Sequence, residues 1–186
     1  MDKKIRTQAG KPGPRRVRYS VAASLDGFIA GPKSEHDWII MDPTIDFAAL
    51  SREFDTVLMG RRTFEQAQKG GGSVMPGMRT IVCSRTLHAS DYPKITVTSK
   101  VVETISALRA KPGKDIWLFG GGELFRSMLD LNLVDTVEVA LIPILLSQGI
   151  PLLPPGSRSP SLRLTESKTL PTGIVMLKYE LNHGAS

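Results

Sequence analysis

The stretch Asp115-Ile116-Trp117-Leu118-Phe119-Gly120-Gly121-Gly122-Glu123-Leu124-Phe125-Arg126-Ser127-Met128-Leu129 decides how the chain folds. Residues 116–119 form a short apolar run, too short for a helix and bounded by Asp115 and Gly120, as in a buried strand. The residues after Gly120-Gly121-Gly122 carry their apolar side chains at helical spacing. Glycines let the backbone take positive φ and let another group come close. A strand end that feeds a helix N-terminus offers free N–H groups and a partial positive charge, a setting that suits phosphate. The same pattern also fits a glycine-rich turn with packing duty only.

Two further segments share this design. In Thr56-Val57-Leu58-Met59-Gly60-Arg61-Arg62-Thr63-Phe64-Glu65, residues 56–59 read as a buried strand and Gly60 turns into a helix expected to reach Gln68. Arg61 and Arg62 fall in the helix's first turn, where the macrodipole disfavours cations unless an anion lies between, and Thr63 adds a hydroxyl. Two solvated arginines are the alternative. In Arg79-Thr80-Ile81-Val82-Cys83-Ser84-Arg85-Thr86 a strand ends in two hydroxyls around a guanidinium, all donors to phosphate oxygens. An ordinary polar turn has the same composition. In an α/β sheet, ligands bind outside the carboxyl ends of the strands, so three such ends suit a dinucleotide with several phosphates.

These motifs, taken in order with Ala22-Ala23-Ser24-Leu25-Asp26-Gly27-Phe28-Ile29-Ala30, resemble the dihydrofolate reductase-like superfamily over roughly residues 17–181. Ser24-Leu25-Asp26-Gly27 and Pro143-Ile144-Leu145-Leu146-Ser147-Gln148-Gly149 favour the branch containing the C-terminal reductase domain of bifunctional riboflavin-biosynthesis deaminase-reductases. The resemblance implies an NADPH-dependent oxidoreductase of the 5-amino-6-(5-phosphoribosylamino)uracil reductase type, acting on a ribosylaminopyrimidine or related small heterocycle. It implies that Ala22, Ala23 and Ile29 face the nicotinamide. Gly60, Arg61, Arg62 and Thr63 would hold the pyrophosphate region, and Ser84, Arg85 and Thr86 the 2′-phosphate. Gly120, Gly121, Gly122, Glu123 and Leu124 would complete the cofactor site, with Gly120-Gly121 as a cis peptide. Relatives in that branch imply a homodimer.

The resemblance also bears on the proton source. Asp46, after Pro43-Thr44-Ile45, matches the buried carboxylate of folate reductases, where a dry cleft would raise its pKa and let it donate. An Asp in a first helical turn is equally what the dipole prefers. Asp26 is the second catalytic candidate, although Asp-Gly is also a common turn pair. Trp38, Phe47 and Met78 are expected in the substrate pocket. Met78 occupies the slot where folate reductases hold an arginine for the substrate's glutamate, and strand alternation would send Arg79 to the opposite face. Efficient folate reduction is therefore not expected. The deaminase half's His-x-Glu and Pro-Cys-x-x-Cys motifs are absent from the sequence. Dihydrofolate reduction and non-catalytic binding of NADPH or another nucleotide are the alternatives.

Composition agrees with a soluble enzyme, and the resemblance implies a small-molecule substrate. With 186 residues, 41% of them hydrophobic, the chain can bury one core. No apolar run is long enough to span a membrane. Cys83 is the sole cysteine, which fits a reducing cytoplasm, and His36, His88 and His183 show no metal-ligand spacing. The net charge of +6 is concentrated: residues 1–18 carry seven basic residues against Asp2 alone, and the remainder is balanced. Residues 1–16 are expected to be a disordered basic tail ahead of a single domain over 17–182. Without interleaved aromatics, that tail offers nucleic acid only weak, salt-dependent contact.

Periodicity and breakers place strands at 17–23, 95–98, 134–142, 162–170 and 174–181, and helices at 44–54 and 101–110. Residues 26–38 read as a loop, 69–77 as a flexible link and 143–155 as a proline-marked apolar excursion. Strand–helix alternation followed by a hairpin predicts an α/β, three-layer fold: a mostly parallel central sheet, an antiparallel C-terminal hairpin and helices on both faces.

Overall fold

The computed structural model describes residues 13–69, 75–157 and 160–182. Four parallel strands rich in buried apolar residues form its centre: β1 (Val17–Ser24), β3 (Phe54–Gly60), β4 (Arg79–Cys83) and β6 (Asp115–Gly120). With β2 (Phe28–Ala30), β5 (Thr96–Thr98), β7 (Thr136–Ile142), β8 (Ile150–Pro151), β9 (Leu162–Thr169) and β10 (Val175–Leu181), they form two sheets. The main sheet has eight strands in the order β5-β4-β3-β6-β1-β7-β10-β9, and β2 pairs with β8 separately. β1 runs parallel to both neighbours, whereas β10 is antiparallel to β7 and to β9. The parallel α/β sheet with an antiparallel C-terminal hairpin is thus present.

The helices are α1 (Phe47–Ser51), α2 (Arg61–Lys69), α3 (Val101–Arg109) and α4 (Gly122–Asp130). α4 buries Phe125, Met128 and Leu129, spaced i, i+3 and i+4, against one face of the sheet, where Phe125 stacks on Tyr19 with ring centroids 3.8 Å apart. α3 adds Ile105 and Leu108 to the same core. On the opposite face, Phe64 of α2 packs on Val57, Met59 and Val82. α4 ends in a Schellman motif: Asn132 takes φ 57°, its amide bonds the Leu129 carbonyl, and the Leu133 amide reaches the Met128 carbonyl.

Several expectations need correction. The helix expected over 44–54 is the five-residue α1, because Asp42 and Asp46 draw the chain before it into a turn and a cap, and Phe54 is already committed to β3. The loop at 26–38 and the excursion at 143–155 hide β2 and β8, which pair with each other and are too short to show a period. The tail boundary at residue 16 falls too late. Arg15 is buried and bonds Asp55, Thr56 and the Lys114 carbonyl, while Arg16 pairs with Asp115 at 3.4 Å. Residues 1–12, 70–74 of the expected link, and His183 lie outside the described residues.

Candidate functional site

The strands β3 and β6 end side by side, and the helices α2 and α4 begin at once, so both helix N-termini open into one groove of about 1440 Å³. Gly60, Arg61, Arg62 and Thr63 line it from one side, and Gly120, Gly121, Gly122, Glu123 and Leu124 from the other. Ala22 and Ile29 complete this rim. Most of the segments expected at the cofactor therefore do meet in space. The Gly120–Gly121 peptide is cis, as the resemblance implies. Crowding requires glycine at 122, where a Cβ would stand only 2.6 Å from the Pro151 carbonyl, and leaves little room at 121, where it would stand 3.3 Å from Thr63 Oγ1. Two helix N-termini, Arg62, Arg61 (paired with Glu65 at 3.0 Å) and a threonine hydroxyl give the rim donors of the kind that suit anionic oxygens.

Three rim candidates stand slightly apart. Ser84, Arg85 and Thr86 follow Cys83, which lines the groove, but are not themselves part of its wall. The Ser84 hydroxyl accepts from the Thr86 amide at 3.1 Å and the Leu87 amide at 3.0 Å, which shapes the turn. Burial pushes the Cys83 thiol up to about 12, so it is uncharged near neutrality. Ala23 is buried in the core, on the strand face opposite Ala22.

The groove floor is the uncovered face of β6, β1, β7 and β10. Across it, Ala22, Ala140 and Met176 lie in register, and so do Ser20, Glu138 and Lys178. Arg18, one pair further down, grips Glu138 with Nε at 2.7 Å and Nη2 at 2.8 Å, bonds Glu53, and lies 4.6 Å from the centre of the Phe54 ring. Burial pushes Glu138 up, but the bond and charge of Arg18, with Lys178 and Thr136, outweigh it and hold the carboxyl below its ordinary value. Burial lowers the guanidinium pKa, and the Glu138 and Glu53 carboxylates more than offset this. The floor thus carries a fixed, ionised acid.

Apolar side chains of residues 39–47 roof the groove, Phe47 among them. Asp42 ties this roof down, accepting from the Thr44 amide at 2.8 Å, the Thr44 hydroxyl at 2.5 Å and the Thr172 hydroxyl at 2.6 Å. The Thr172 and then the Thr44 hydroxyl bonds hold its carboxyl well below the usual range.

Neither expected acid faces the groove. The Asp46 side chain is 65% exposed and caps α1 by accepting from the Ala49 amide at 2.7 Å. Asp26 is exposed and accepts from the Leu146 and Ser147 amides, tying the loop after β1 to the segment before β8. Those bonds, with a larger contribution from Ser24, lower its pKa. Trp38 packs with Ile142, Leu170 and Ile174, and Met78 packs beside Val57 and Phe64, so neither lines the groove. Sequence reasoning missed Glu138, Arg18, Lys178 and Asp42. Asp42-Pro43-Thr44 carries an Asx-turn signal that could have flagged the last, whereas the first three carry no local signal.

Among the described residues, no group of His, Cys, Asp or Glu side chains is arranged for a metal ion, and no helix is long and apolar enough to cross a membrane. Comparison with known proteins gives consistent relatives. The family described as RibD C-terminal domain matches residues 15–176. The uncharacterized protein YyaP of Bacillus subtilis (strain 168) is 32% identical over 180 residues, 90% of this chain and 96% of YyaP. A protein of Shewanella sp. PV-4, provisionally assigned to riboflavin biosynthesis, superposes with a TM-score of 0.79 at 25% identity, covering 90% of this chain and 99% of that one. A dihydrofolate reductase of Enterococcus faecalis, solved with NADP(H), superposes with a TM-score of 0.66 at 18% identity, covering 90% and 96%. At that identity the last likeness concerns the fold.

Proposed function

The chain belongs to the RibD C-terminal domain family, and from that premise we propose that it is an NADPH-dependent reductase of a small heterocycle, of the riboflavin-pathway reductase type. The observation that carries this reading is convergence: strand ends at residues 60 and 120, about a third of the chain apart, present two helix N-termini and two arginines to one groove. NADPH, when bound, supplies a hydride. The first turns of α2 and α4, with Arg61, Arg62 and Thr63, would hold its pyrophosphate, and Ser84, Arg85 and Thr86 its 2′-phosphate. Ala22 keeps the floor shallow at the end of β1, so that a flat ring pair fits there. The apolar roof over 39–47, anchored by Asp42, would lie over the bound rings.

A ribosylaminopyrimidine-type substrate is favoured over dihydrofolate. Met78 is packed into the α2-side core, and Arg79 is exposed, with Nη2 3.4 Å from Thr96 Oγ1. A folate's glutamate carboxylate would find no cation at 78, and Arg79 lies outside the wall of the groove, turned to Thr96. We also propose a homodimer, to be checked by sedimentation.

Calorimetric titration with NADPH and NADH tests the cofactor assignment on wild type, Arg62→Ala and Arg85→Ala. Loss of a charged hydrogen bond to phosphate corresponds to roughly a tenfold or greater loss of affinity. Arg62→Ala should weaken both cofactors by about that factor. Arg85→Ala should weaken NADPH alone and erase the preference. Equal, weak binding of both cofactors to the wild type would overturn the reading.

A further inference from the structure

We propose that Glu138 reads the heterocycle, its carboxylate accepting from N–H donors on the edge of a flat amino-substituted ring that lies over Ala22 and Ala140. The inference rests on the reductase reading only for placing that ring beside the cofactor. Its own evidence is the floor of the groove. Ala22, Ala140 and Met176 form an apolar shelf beneath the rim. Ser20, Glu138 and Lys178 follow two residues further along the strands, about 7 Å away, at the shelf's far end. Trp117 and Phe119, packed edge to face at 5.4 Å, flank the space on the β6 side.

A ring entering so apolar a space must find acceptors for its N–H groups, because burying them unpaired is costly. Glu138 supplies them. The side chain of Arg18 is 4% exposed and sealed from the groove, whereas that of Glu138 is 12% exposed and lines it. A carboxylate has about four acceptor directions. Oε1 takes Arg18 Nε at 2.7 Å and the Thr136 hydroxyl at 3.1 Å, with Lys178 Nζ at 3.6 Å; Oε2 takes Arg18 Nη2 at 2.8 Å. Oε2 therefore accepts one of the two donors it has directions for. The Arg18 clamp fixes the plane of the carboxylate before any ligand arrives, which favours an edge-on, directional contact. Other acids near the groove are poorly placed for this: Glu123 sits exposed at the rim in the first turn of α4, and Asp46 and Asp26 point elsewhere.

The test is a cycle of ring against variant, with NADPH present. The probes are 2,4-diaminopteridine and its analogue with both amino groups dimethylated, which keeps the flat ring and removes the amino donors. Wild type should bind the diamino ring at least about tenfold more tightly than the dimethylated one, the scale of a charge-assisted hydrogen bond. In Glu138→Gln the discrimination should fall below about threefold, while NADPH affinity stays within about twofold. Ser20→Leu leaves the Arg18–Glu138 pair intact and fills the space in front of it. It should lose both rings and keep NADPH, and it decides the matter if Glu138→Gln does not fold. Undiminished discrimination in Glu138→Gln, wild-type ring affinity in Ser20→Leu, or failure of wild type to bind either ring overturns the proposal. Failure of wild type to bind NADPH overturns the reductase reading instead, and ring discrimination then still judges Glu138 alone.

Discussion

The two halves of the groove are built from different materials. On the β3–β6 side, the ligand-facing chemistry is mostly backbone: strand ends, glycines and the first turns of two helices. On the β1–β7–β10 side it is the charge of Glu138, held by Arg18 and Lys178 from segments up to 160 residues apart, with Asp42 anchoring the roof separately. The first half keeps its buried charges, Arg15 with Asp55 and Arg126 with Asp130, away from the groove wall, whereas the second sets one, Glu138, into its floor. Mutations in the two halves should therefore separate: loss of ligand without loss of fold on one side, loss of fold first on the other.

The largest expected effect is on the charged side. Arg18→Met leaves the buried Glu138 carboxylate without its guanidinium. Removing one partner of a buried pair costs about 3–5 kcal/mol, because the remaining charge stays desolvated. For a chain of this size that corresponds to a fall in melting temperature of roughly 6–20 °C, readable by circular dichroism. By contrast, Arg62→Ala on the rim, despite its expected effect on cofactor affinity, should leave the melting curve within about 2 °C, as surface changes generally do. A small shift in Arg18→Met would erase the contrast between the halves.

The same contrast explains what was legible in the sequence. The rim motifs are contiguous: strand, glycine and helix follow one another within ten residues, so periodicity and breakers expose them. The Gly120–Gly122 turn and the Arg61–Thr63 turn both stand where they were expected. The floor is assembled by sheet register, which no local pattern encodes. Arg18 reads as the last residue of a basic stretch, and Glu138 and Lys178 read as ordinary polar positions in alternating strands. They meet because β1 and β10 flank β7. Asp46 misled for a related reason: a helix-capping aspartate and a catalytic one look alike until burial is known.

The next effect is smaller and depends on pH. Asp42 holds the roof to the β9–β10 turn, and its pKa is depressed by the Thr172 and Thr44 hydroxyls. An unfolded aspartate titrates near ~3.9. A carboxylate whose pKa is lower in the folded state stabilises that state fully above the unfolded value, and the contribution is lost as pH falls toward the folded value. Wild type should therefore melt higher than Asp42→Asn near neutrality, and the gap should close as the pH is taken below about 4. A gap unchanged down to pH ~2 would mean that the roof does not depend on the ionised form.

The smallest effect concerns Asp46, which belongs to neither half. It caps a five-residue exposed helix, and its pairing with Arg52, at 4.0 Å between two solvated side chains, is worth little. Asp46→Ala should lower stability by about 0.5–1 kcal/mol through the lost cap, while Asp46→Asn, which keeps an accepting oxygen, should leave it nearly unchanged. Both variants should retain kcat/KM within about twofold, since a proton donor must come within hydrogen-bond reach of its acceptor and Asp46 faces solvent. The pair of variants is informative because the two roles respond differently: a cap tolerates Asn and suffers from Ala, whereas an acid is lost equally in both. Should turnover collapse in Asp46→Asn while the melting curve stays put, α1 must fold over the ring once substrate is bound. The groove would then be completed by a moving helix rather than by the fixed charge beneath it.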